Sequence, residues 1–262
     1  MTQQSGLDWE QFVGEVRRRA GIDFTPYKAS QLQRRVRGLM QRSGVHRLDD
    51  YLRLLEREPG RRRELQRCVT VTVSEFFRTP DRFEHLGREV LPRLLGDRRD
   101  LRVWSAGCSY GAEPYSVALL LHELAPTGRH YVLATDVDEP ALERARAANS
   151  FSERDLKHIP ERLRHLFEAG QGKGRFALQP RIARWVHVRR HDLLERPPEG
   201  DFDLILCRNV MIYFTDDAKL RVYQGLHGAL RPGGYLFVGD AEVLNPVTQA
   251  GFTQEAVGFY RR

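Results

Sequence analysis

A chain of 262 residues has room for one large α/β domain beside a small one, and for a substantial buried core. It has no run of about 18 apolar residues, and its first residues, MTQQSGLDWEQF, lack a secretion signal. We therefore expect a cytoplasmic protein with no segment inserted in a membrane. The three cysteines are far apart and match neither a zinc-ligand spacing nor a disulfide framework, so no metal site is predicted.

The formal charge of +7 is concentrated at the N-terminal end of the chain. Residues 1–70 contain 15 Lys and Arg against 9 Asp and Glu, and the rest of the chain is almost neutral. Such a basic segment favours nucleic acid or an acidic protein surface as a partner. Its arginine clusters are equally typical of helix faces that only contact solvent, and composition leaves these alternatives open.

Residues 7–60 show the apolar spacing of helices throughout, with Leu32, Val36 and Met40 on one stripe. Glycine and proline residues interrupt the pattern at intervals, as they do between short helices. The pattern predicts a small bundle of three or four helices with basic outer faces, which we assign to residues 1–70.

A connecting segment, residues 71–98, follows the bundle. Its second half predicts a helix from about Pro80 to Leu95, because Thr79 is a suitable N-cap and proline is favoured at the first helical position.

From Leu101 onwards, apolar strand-like runs alternate with helical stretches. The runs are LRVWSA, YVLATD, WVHVRRHD, FDLILC and GYLFVG, and the helical stretches span residues 113–124, 138–148 and 216–229. Such alternation predicts an α/β fold whose mainly parallel sheet is covered on both faces and binds ligands beyond the carboxyl ends of its strands. We assign this domain to residues 99–262.

Two parts of this domain depart from the alternation. The last residues, FTQEAVGFYRR, lack a helical crossover and predict an antiparallel strand added by a hairpin. Residues 167–185 contain glycines and short strand-like pieces, which predict a small β-insert.

The stretch VWSAGCSYGAEPYS, residues 103–116, places a glycine-rich turn between the first strand and the next helix. Turns of this kind usually hold a phosphate on the backbone N–H groups of the helix N-terminus. Here Glu113 stands at that N-terminus, and its carboxylate would repel a phosphate. The turn around Gly107 and Gly111 therefore predicts a ligand with positive charge.

Two further acids end neighbouring strands of the predicted sheet. Asp136 follows the second strand, where an acid binds the ribose hydroxyls of a nucleoside in doubly wound folds. Asp192 follows the third strand, where it can accept a hydrogen bond from an adenine amino group, with Leu193 beside the ring. A nucleoside with a cation and no phosphate describes S-adenosylmethionine, although a strand-ending Asp is also common as a simple cap.

Four longer motifs occur in the chain: VTVSEFFR (71–78), VWSAGCSYGAEPYS (103–116), ATDVD (134–138) and CRNVMIYF (207–214). In this order and spacing they resemble the bacterial chemotaxis receptor methyltransferases of the CheR family, over nearly the full chain. The resemblance implies a Rossmann-like class I methyltransferase domain preceded by a small all-α domain. It also implies methyl transfer from S-adenosylmethionine to glutamates on the cytoplasmic helices of chemoreceptors, which forms methyl esters and leaves S-adenosylhomocysteine.

The resemblance implies which residues contact the amino-acid end of the cofactor. Thr72, Ser74 and Arg78, in the first motif, are expected to close over that end of the molecule. Glu113 is expected to bind its ammonium group, and Gly107 to let the backbone pass close to its methionine portion.

The same resemblance implies the contacts of the nucleoside. Asp136 is expected at the ribose, and Asp192 with Leu193 at the adenine. Position 192 is Asp where the family more often has Asn, which preserves recognition because either oxygen can accept from the amino group. Arg208 and Asn209 are expected to line the site after the fourth strand.

Two residues are expected to orient the reacting carboxylate, Arg78 and Tyr213. A glutamate side chain has an ordinary pKa of about 4.3, so the nucleophile is already ionised at neutral pH and needs no general base. In-line alignment and removal of water remain for the protein to supply. We expect Arg78 to hold one carboxylate oxygen, and Tyr213 to position through its hydroxyl.

Two other stretches depart from the family pattern. GDAE (239–242) stands where many relatives have Gly-His-Ser-Glu, and we assign Asp240 no role. AGQGKG (169–174) is shorter than in members whose insert grips the receptor's C-terminal peptide. We therefore expect methylation that is independent of such a tether.

Two alternative functions remain open from the residues alone. A nucleic-acid methyltransferase would explain cofactor and charge, but CRNVMIYF has no Asn/Asp-Pro-Pro-aromatic run, and the basic segment lacks aromatics that stack bases. We therefore expect no nucleic acid as partner. A non-catalytic signalling protein that binds S-adenosylmethionine or S-adenosylhomocysteine would keep the same fold.

The expected partners are the Glu-rich cytoplasmic helices of chemoreceptors or related signalling proteins. The basic bundle would lie against them, with an attraction that salt screens. We expect the protein itself to be a monomer.

Overall fold

The computed structural model describes residues 7–68, 74–244 and 251–262. Within them the chain divides into two compact units. The first, here called the helical unit, contains residues 7–68 and Tyr213–Lys219. The second, the sheet unit, contains residues 74–212 and the described residues from Leu220 onwards.

The helical unit contains four helices from the N-terminal part of the chain. They are α1 (Trp9–Ala20), α2 (Ala29–Arg42), α3 (Leu48–Arg57) and α4 (Pro59–Arg67). Asp8 caps α1 by accepting from the N–H of Gln11 at 2.8 Å, and Gly21 ends it in a left-handed conformation at φ 68°. The predicted apolar stripe is buried in the core of this unit, which confirms the helical bundle.

Tyr213–Lys219 belongs to the same unit through backbone contacts. The N–H of Lys28 donates to the carbonyl of Tyr213 at 2.9 Å, and that of Thr215 donates to Pro26 at 2.8 Å. The segment thereby adds a short antiparallel bridge, Tyr27 with Phe214, beside the helices.

The sheet unit is built on a seven-stranded sheet. In chain order its strands are β1 (Arg102–Ala106), β2 (Tyr131–Asp136), β6 (Val186–Arg190), β7 (Phe202–Cys207), β8 (Leu230–Val238), β9 (Thr253–Ala256) and β10 (Phe259–Arg261). Their order across the sheet is β6-β2-β1-β7-β8-β10-β9. The first five in this order are parallel, and β10 and β9 are added antiparallel, as the alternation and the terminal hairpin predict.

Helices connect and cover these strands. They are α5 (Pro80–His85), a π-helical turn (Leu86–Val90), α6 (Leu91–Asp97), α7 (Ala112–Leu124), α8 (Glu139–Ala147), α9 (Glu161–Arg164), α10 (Pro180–Ala183) and α11 (Asp216–Ala229). α5, the π turn and α6 form one continuous helical run, close to the predicted helix. The predicted start is confirmed, with Thr79 at the N-cap position and Pro80 as the first helical residue, but Thr79 lies in the left-handed region at φ 63° and its side chain makes no cap bond.

A second, three-stranded sheet forms the predicted insert, in the order β3-β5-β4. Its strands are β3 (Phe151–Ser152), β4 (Phe167–Ala169) and β5 (Arg175–Leu178). The insert starts earlier than residues 167–185 because Phe151 pairs with Phe176 across the sheet. Sequence spacing gave no sign of a two-residue strand so far upstream.

The register of the parallel strands places their carboxyl ends side by side. Ala106 of β1 pairs with Thr135 of β2, and Cys207 of β7 pairs with Val238 of β8. The loops that leave these strands therefore meet at one edge of the sheet, where open α/β folds bind ligands. In the part of the chain that the structure describes, none of the helices has the length and apolar composition needed to cross a bilayer.

Candidate functional site

The turn after β1 is held in a backbone conformation that needs glycine. Gly107 and Gly111 have φ of 89° and 95°, where a side chain is strained. A Cβ on Gly107 would lie 2.5 Å from Cγ2 of Val210, and one on Gly111 would lie 2.9 Å from the Tyr115 ring. Glycine is therefore needed at both positions for the turn to pack against Val210 and Tyr115 at the carboxyl edge of the sheet.

Glu113 lies in the first turn of α7 and is buried, with 9 % of its surface exposed. The Ser105 hydroxyl donates to one carboxylate oxygen at 2.8 Å, and the guanidinium of Arg208 lies 3.5 Å from the other. Burial raises the pKa of Glu113, and its two partners oppose that rise. The buried carboxylate of Glu113 is thus available at the helix N-terminus as a partner for the predicted ammonium group.

Arg208, immediately after β7, is the buried cation of this edge. Its Nη2 donates to the Arg78 carbonyl at 2.7 Å and to the Thr79 hydroxyl at 3.3 Å, and its guanidinium lies 4.4 Å from the centre of the Phe237 ring. Burial lowers the pKa of Arg208, while the charge of Glu113 raises it. The hydroxyl of Thr79, which was expected to cap a helix, instead accepts a hydrogen bond from this guanidinium.

A third buried charge, Glu242, lies close to this pair. Glu242 is 4 % exposed, and its negative charge contributes to the raised pKa of Glu113. Glu113, Arg208 and Glu242 together carry two negative charges and one positive charge. A buried excess of negative charge is costly, so a cationic ligand group at this place is favoured electrostatically.

Asp136, the last residue of β2, organises the neighbouring turns. One carboxylate oxygen accepts from the N–H of Ser109 at 2.8 Å, and the other accepts from those of Val137 and Asp138 at 2.7 and 3.0 Å. An ionised carboxylate has about four acceptor positions, so these three bonds leave capacity for a ligand hydroxyl. Asp136 therefore fixes the glycine turn and faces the same edge.

Asp192 and Leu193 follow β6, which pairs with β2. Asp192 accepts from the N–H of Leu194 at 2.9 Å, which holds this loop in a tight turn. The neighbouring His191 has a buried Nε2 that makes no hydrogen bond within the described ranges. The predicted adenine contacts thus lie on the strand next to the predicted ribose contact.

The first motif is described in part. Thr72 lies outside the described residues. Ser74 is half-buried, and its carbonyl accepts from the Tyr110 hydroxyl, which belongs to the glycine turn. Arg78 is also half-buried, and its charge is near enough to Arg208 to lower the pKa of that guanidinium. Ser74 and Arg78 therefore lie on the sheet unit with the residues that follow β1 and β7.

Tyr213 groups with the helical unit, whereas Arg208 and Asn209, a few residues earlier, belong to the sheet unit. The guanidinium carbon of Arg35 lies 4.6 Å from the centre of the Tyr213 ring, a cation–π distance. Its predicted catalytic role stays a prediction.

Three residues at this edge were missed by the sequence reasoning, Ser105, Tyr110 and Glu242. Ser105 lies inside a strand and Tyr110 inside the glycine turn, and nothing in their sequence context marks a partner. Glu242 stands in GDAE, a stretch whose acids gave no spacing signal. The Tyr110 hydroxyl oxygen also lies 2.9 Å from a carboxylate oxygen of Asp155, so its single proton is shared between this acceptor and the Ser74 carbonyl, and the turn is linked to the segment that leads into the insert.

Comparison with protein families gives two matches. Residues 72–257 match the model described as CheR methyltransferase, SAM binding domain. Residues 7–70 match the model described as CheR methyltransferase, all-alpha domain. Together these matches span most of the chain.

Curated relatives match over similar lengths. A chemotaxis protein methyltransferase from Listeria monocytogenes is 37% identical over 241 residues, which are 91% of each chain. One from Listeria innocua gives the same identity and coverage. Chemotaxis protein methyltransferase 1 from Pseudomonas aeruginosa is 35% identical over 253 residues, or 92% of each chain.

Proposed function

The chain belongs to the CheR methyltransferase family, and from this premise we propose that it methylates glutamate side chains of chemoreceptors, forming methyl esters. Its cofactor is S-adenosylmethionine, with S-adenosylhomocysteine as product, and it is an S-adenosylmethionine-dependent methyltransferase of chemotaxis. The glutamate substrate, the receptor partner and the roles of single residues form the proposal.

The observation that carries the proposal is the buried carboxylate of Glu113 at the N-terminus of α7. Together with Arg208 and Glu242 it leaves one buried negative charge in excess, which suits the ammonium group of S-adenosylmethionine. The left-handed backbone at Gly107 and Gly111 shapes the turn after β1, along which the methionine portion would pass. Asp136 ends β2 and Asp192 follows the neighbouring strand β6, so both stand at the edge where the nucleoside would bind.

The bound cofactor supplies a methyl group on a sulfonium, which is a good leaving group. The residues of this chain then need only to hold a glutamate carboxylate in line and to exclude water, since that carboxylate is already ionised at neutral pH. Arg78 would bind one carboxylate oxygen by a charge-assisted hydrogen bond, and Tyr213 would position through its hydroxyl. No side chain has to remove a proton from the nucleophile.

Radiolabelled S-adenosylmethionine tests this function directly. The protein is incubated with candidate receptor cytoplasmic domains, and label that is released by mild base identifies a carboxyl methyl ester. Cofactor binding without transfer to any receptor would favour a non-catalytic signalling role. Label that enters nucleic acid would contradict the substrate.

Arg78→Ala tests the proposed orienting group. We expect its turnover at saturating cofactor to fall about 10- to 1000-fold, on the scale of lost positioning contacts. Arg88→Ala, on the exposed side of the π turn, is the matched control. Unchanged turnover of Arg78→Ala would remove Arg78 from the mechanism.

The helical unit is proposed to attract the receptor helices. Arg34 and Arg37 of α2 are exposed, and neither forms an ion pair with a carboxylate among the described residues. Exposed charges are screened over about 8 Å at physiological ionic strength, so receptor binding should weaken as salt rises. Binding that is independent of salt, or unaffected by Arg34→Ala with Arg37→Ala, would contradict this contribution.

We also propose that methylation does not depend on a C-terminal receptor peptide. The glycine-rich turn between β4 and β5 is short, and Gly172 and Gly174 both have positive φ within it. Calorimetric titration with a receptor tail peptide measures whether the protein binds this peptide. Micromolar binding would overturn this independence and leave the methyltransferase function intact.

A further inference from the structure

The turn after β8, residues 239–242, contains a buried carboxylate, Glu242, which so far contributes only its negative charge to the site. Glu242 accepts three backbone hydrogen bonds, from the N–H groups of Asn209 at 2.6 Å, Met211 at 2.7 Å and Gly239 at 2.9 Å. Buried acids hydrogen-bonded in this way are expensive to disturb, because each lost bond leaves a buried donor without a partner. Glu242 therefore ties the carboxyl end of β8 to the loop that leaves β7.

The backbone of that loop needs such a support. Asn209 has φ 61°, in the left-handed region that residues other than glycine seldom adopt. Its N–H and that of Met211 lie beyond the end of β7 and donate to the two oxygens of the same carboxylate. Glu242 thereby holds two N–H groups that flank Val210.

The loop in turn contacts the glycine turn. A Cβ at Gly107 would lie 2.5 Å from Cγ2 of Val210, so the Val210 side chain occupies the space that Gly107 leaves open. Immediately before Val210 and Asn209 stands Arg208, the buried partner of Glu113. A shift of residues 208–211 would therefore displace both the Arg208 guanidinium and the wall next to Gly107.

Gly239 shows how closely the carboxylate is packed. A Cβ there would lie 2.7 Å from a carboxylate oxygen of Glu242 and 3.2 Å from the nitrogen of Asn209. Only a residue without a side chain lets the acid reach the loop at this distance. Asp240, the other acid of the turn, is exposed and pairs with Arg82 at 3.2 Å.

We propose that Glu242 is a positioning residue of the methyltransferase site, which fixes residues 208–211 in the conformation that binds S-adenosylmethionine. The inference rests on the proposed placement of Arg208 and Asn209 at the cofactor. Glu242 itself acts through the backbone of that loop. Its loss should weaken cofactor binding in protein that is still folded.

The variant Glu242→Gln keeps the shape but replaces one acceptor oxygen by an NH₂ group, which opposes a backbone N–H. We expect the dissociation constant for S-adenosylhomocysteine, measured by calorimetry, to rise about 10-fold or more, on the scale of one charge-assisted bond. Hydrogen exchange at Asn209 and Met211 should accelerate. Asp240→Asn, in the same turn, should bind like the wild type.

A variant that only lowers stability distinguishes a positioning role of Glu242 from a purely structural one. Ile182→Val removes one buried methyl group in α10, so it should lower the melting temperature and leave cofactor affinity unchanged. If Glu242→Gln does not fold, Gly239→Ala provides the second test, because its methyl group would displace the carboxylate. An affinity within twofold of the wild type in the folded variant overturns the inference.

Arg208→Lys distinguishes this failure from a failure of the proposed function. Normal binding by Glu242→Gln with weak binding by Arg208→Lys overturns the role of Glu242 alone. Normal binding by both variants overturns the assignment of Arg208 to the cofactor as well.

Discussion

Replacing Glu113 by Gln removes the charge that the proposed ammonium contact requires and preserves the size of the side chain. In the structure the carboxylate is buried, accepts from the Ser105 hydroxyl at 2.8 Å and lies 3.5 Å from Arg208. A Gln at this position can still accept from Ser105. It leaves Arg208 without its buried counter-ion and offers the ligand only a neutral oxygen.

The size of the effect follows from these contacts. A hydrogen bond to a charged group contributes about 1.5 to 3 kcal/mol, which corresponds to about 10- to 150-fold in a dissociation constant. We expect cofactor affinity to fall within this range. Receptor affinity, measured without cofactor, should stay unchanged because Glu113 is buried away from the surface.

The pH dependence gives a second signature with a definite sign. Burial raises the pKa of Glu113, and only its ionised form pairs with an ammonium. Affinity for the cofactor should therefore be full above that raised pKa and decline as the pH falls through it. The same linkage means that ionising Glu113 costs folding stability in the protein without ligand. This cost is fully present above the raised pKa, declines as the pH falls below it, and is gone below the ordinary glutamate pKa of about 4.3.

Calorimetric titration with S-adenosylhomocysteine between about pH 4.5 and pH 8 measures both signatures. Glu84→Gln, which removes an exposed carboxylate paired with Arg88, is the matched control and should follow the wild-type profile. Glu113→Gln should bind weakly, and its affinity should be almost independent of pH over the acidic range. A variant that binds as tightly as the wild type, or that keeps the acidic decline, would refute the assignment of the ammonium to Glu113.

Two further predictions concern the structure around the site, and a third concerns the opposite edge of the sheet. Gly107→Ala should weaken cofactor binding at least about 10-fold. The left-handed backbone strain of about 1 to 2 kcal/mol adds to the clash of the new methyl group with Val210, and both would displace the turn. Cofactor affinity equal to that of the wild type would contradict a role for this turn in binding. Tyr110→Phe should raise the KM for cofactor about 3- to 10-fold with little change in kcat, because the variant lacks the hydroxyl that donates to the Ser74 carbonyl. An unchanged KM would show that this hydrogen bond does not contribute to cofactor binding. Asp203→Ala should lower the free energy of unfolding, measured in urea, by about 3 kcal/mol, because Arg231 loses its buried partner. A urea midpoint equal to that of the wild type would contradict this contribution of the ion pair.

Local patterns in the sequence were sufficient for most of the elements. The alternation of apolar runs and helical stretches predicts the five parallel strands. The signal is strongest for β1, β2 and β7, which are almost continuously buried and therefore need continuous apolar residues. The hairpin at the chain end follows from the lack of a crossover. The two-residue strand at Phe151 and the left-handed Thr79 were missed, because the partners of these residues, Phe176 and Arg208, are distant in the sequence.

The candidate site divides in the same way. The sequence by itself determined the glycine turn, the carboxylate of Glu113 and the acids that end β2 and β6, since these depend on residue type and on position relative to a strand. It also determined the family, through motifs of several residues each. The tertiary structure alone decided that Arg208 is the buried counter-ion of Glu113 and that Glu242 holds the loop after β7. These contacts join residues that are 31 to 95 positions apart, and only the packing of β1, β7 and β8 side by side brings such residues together.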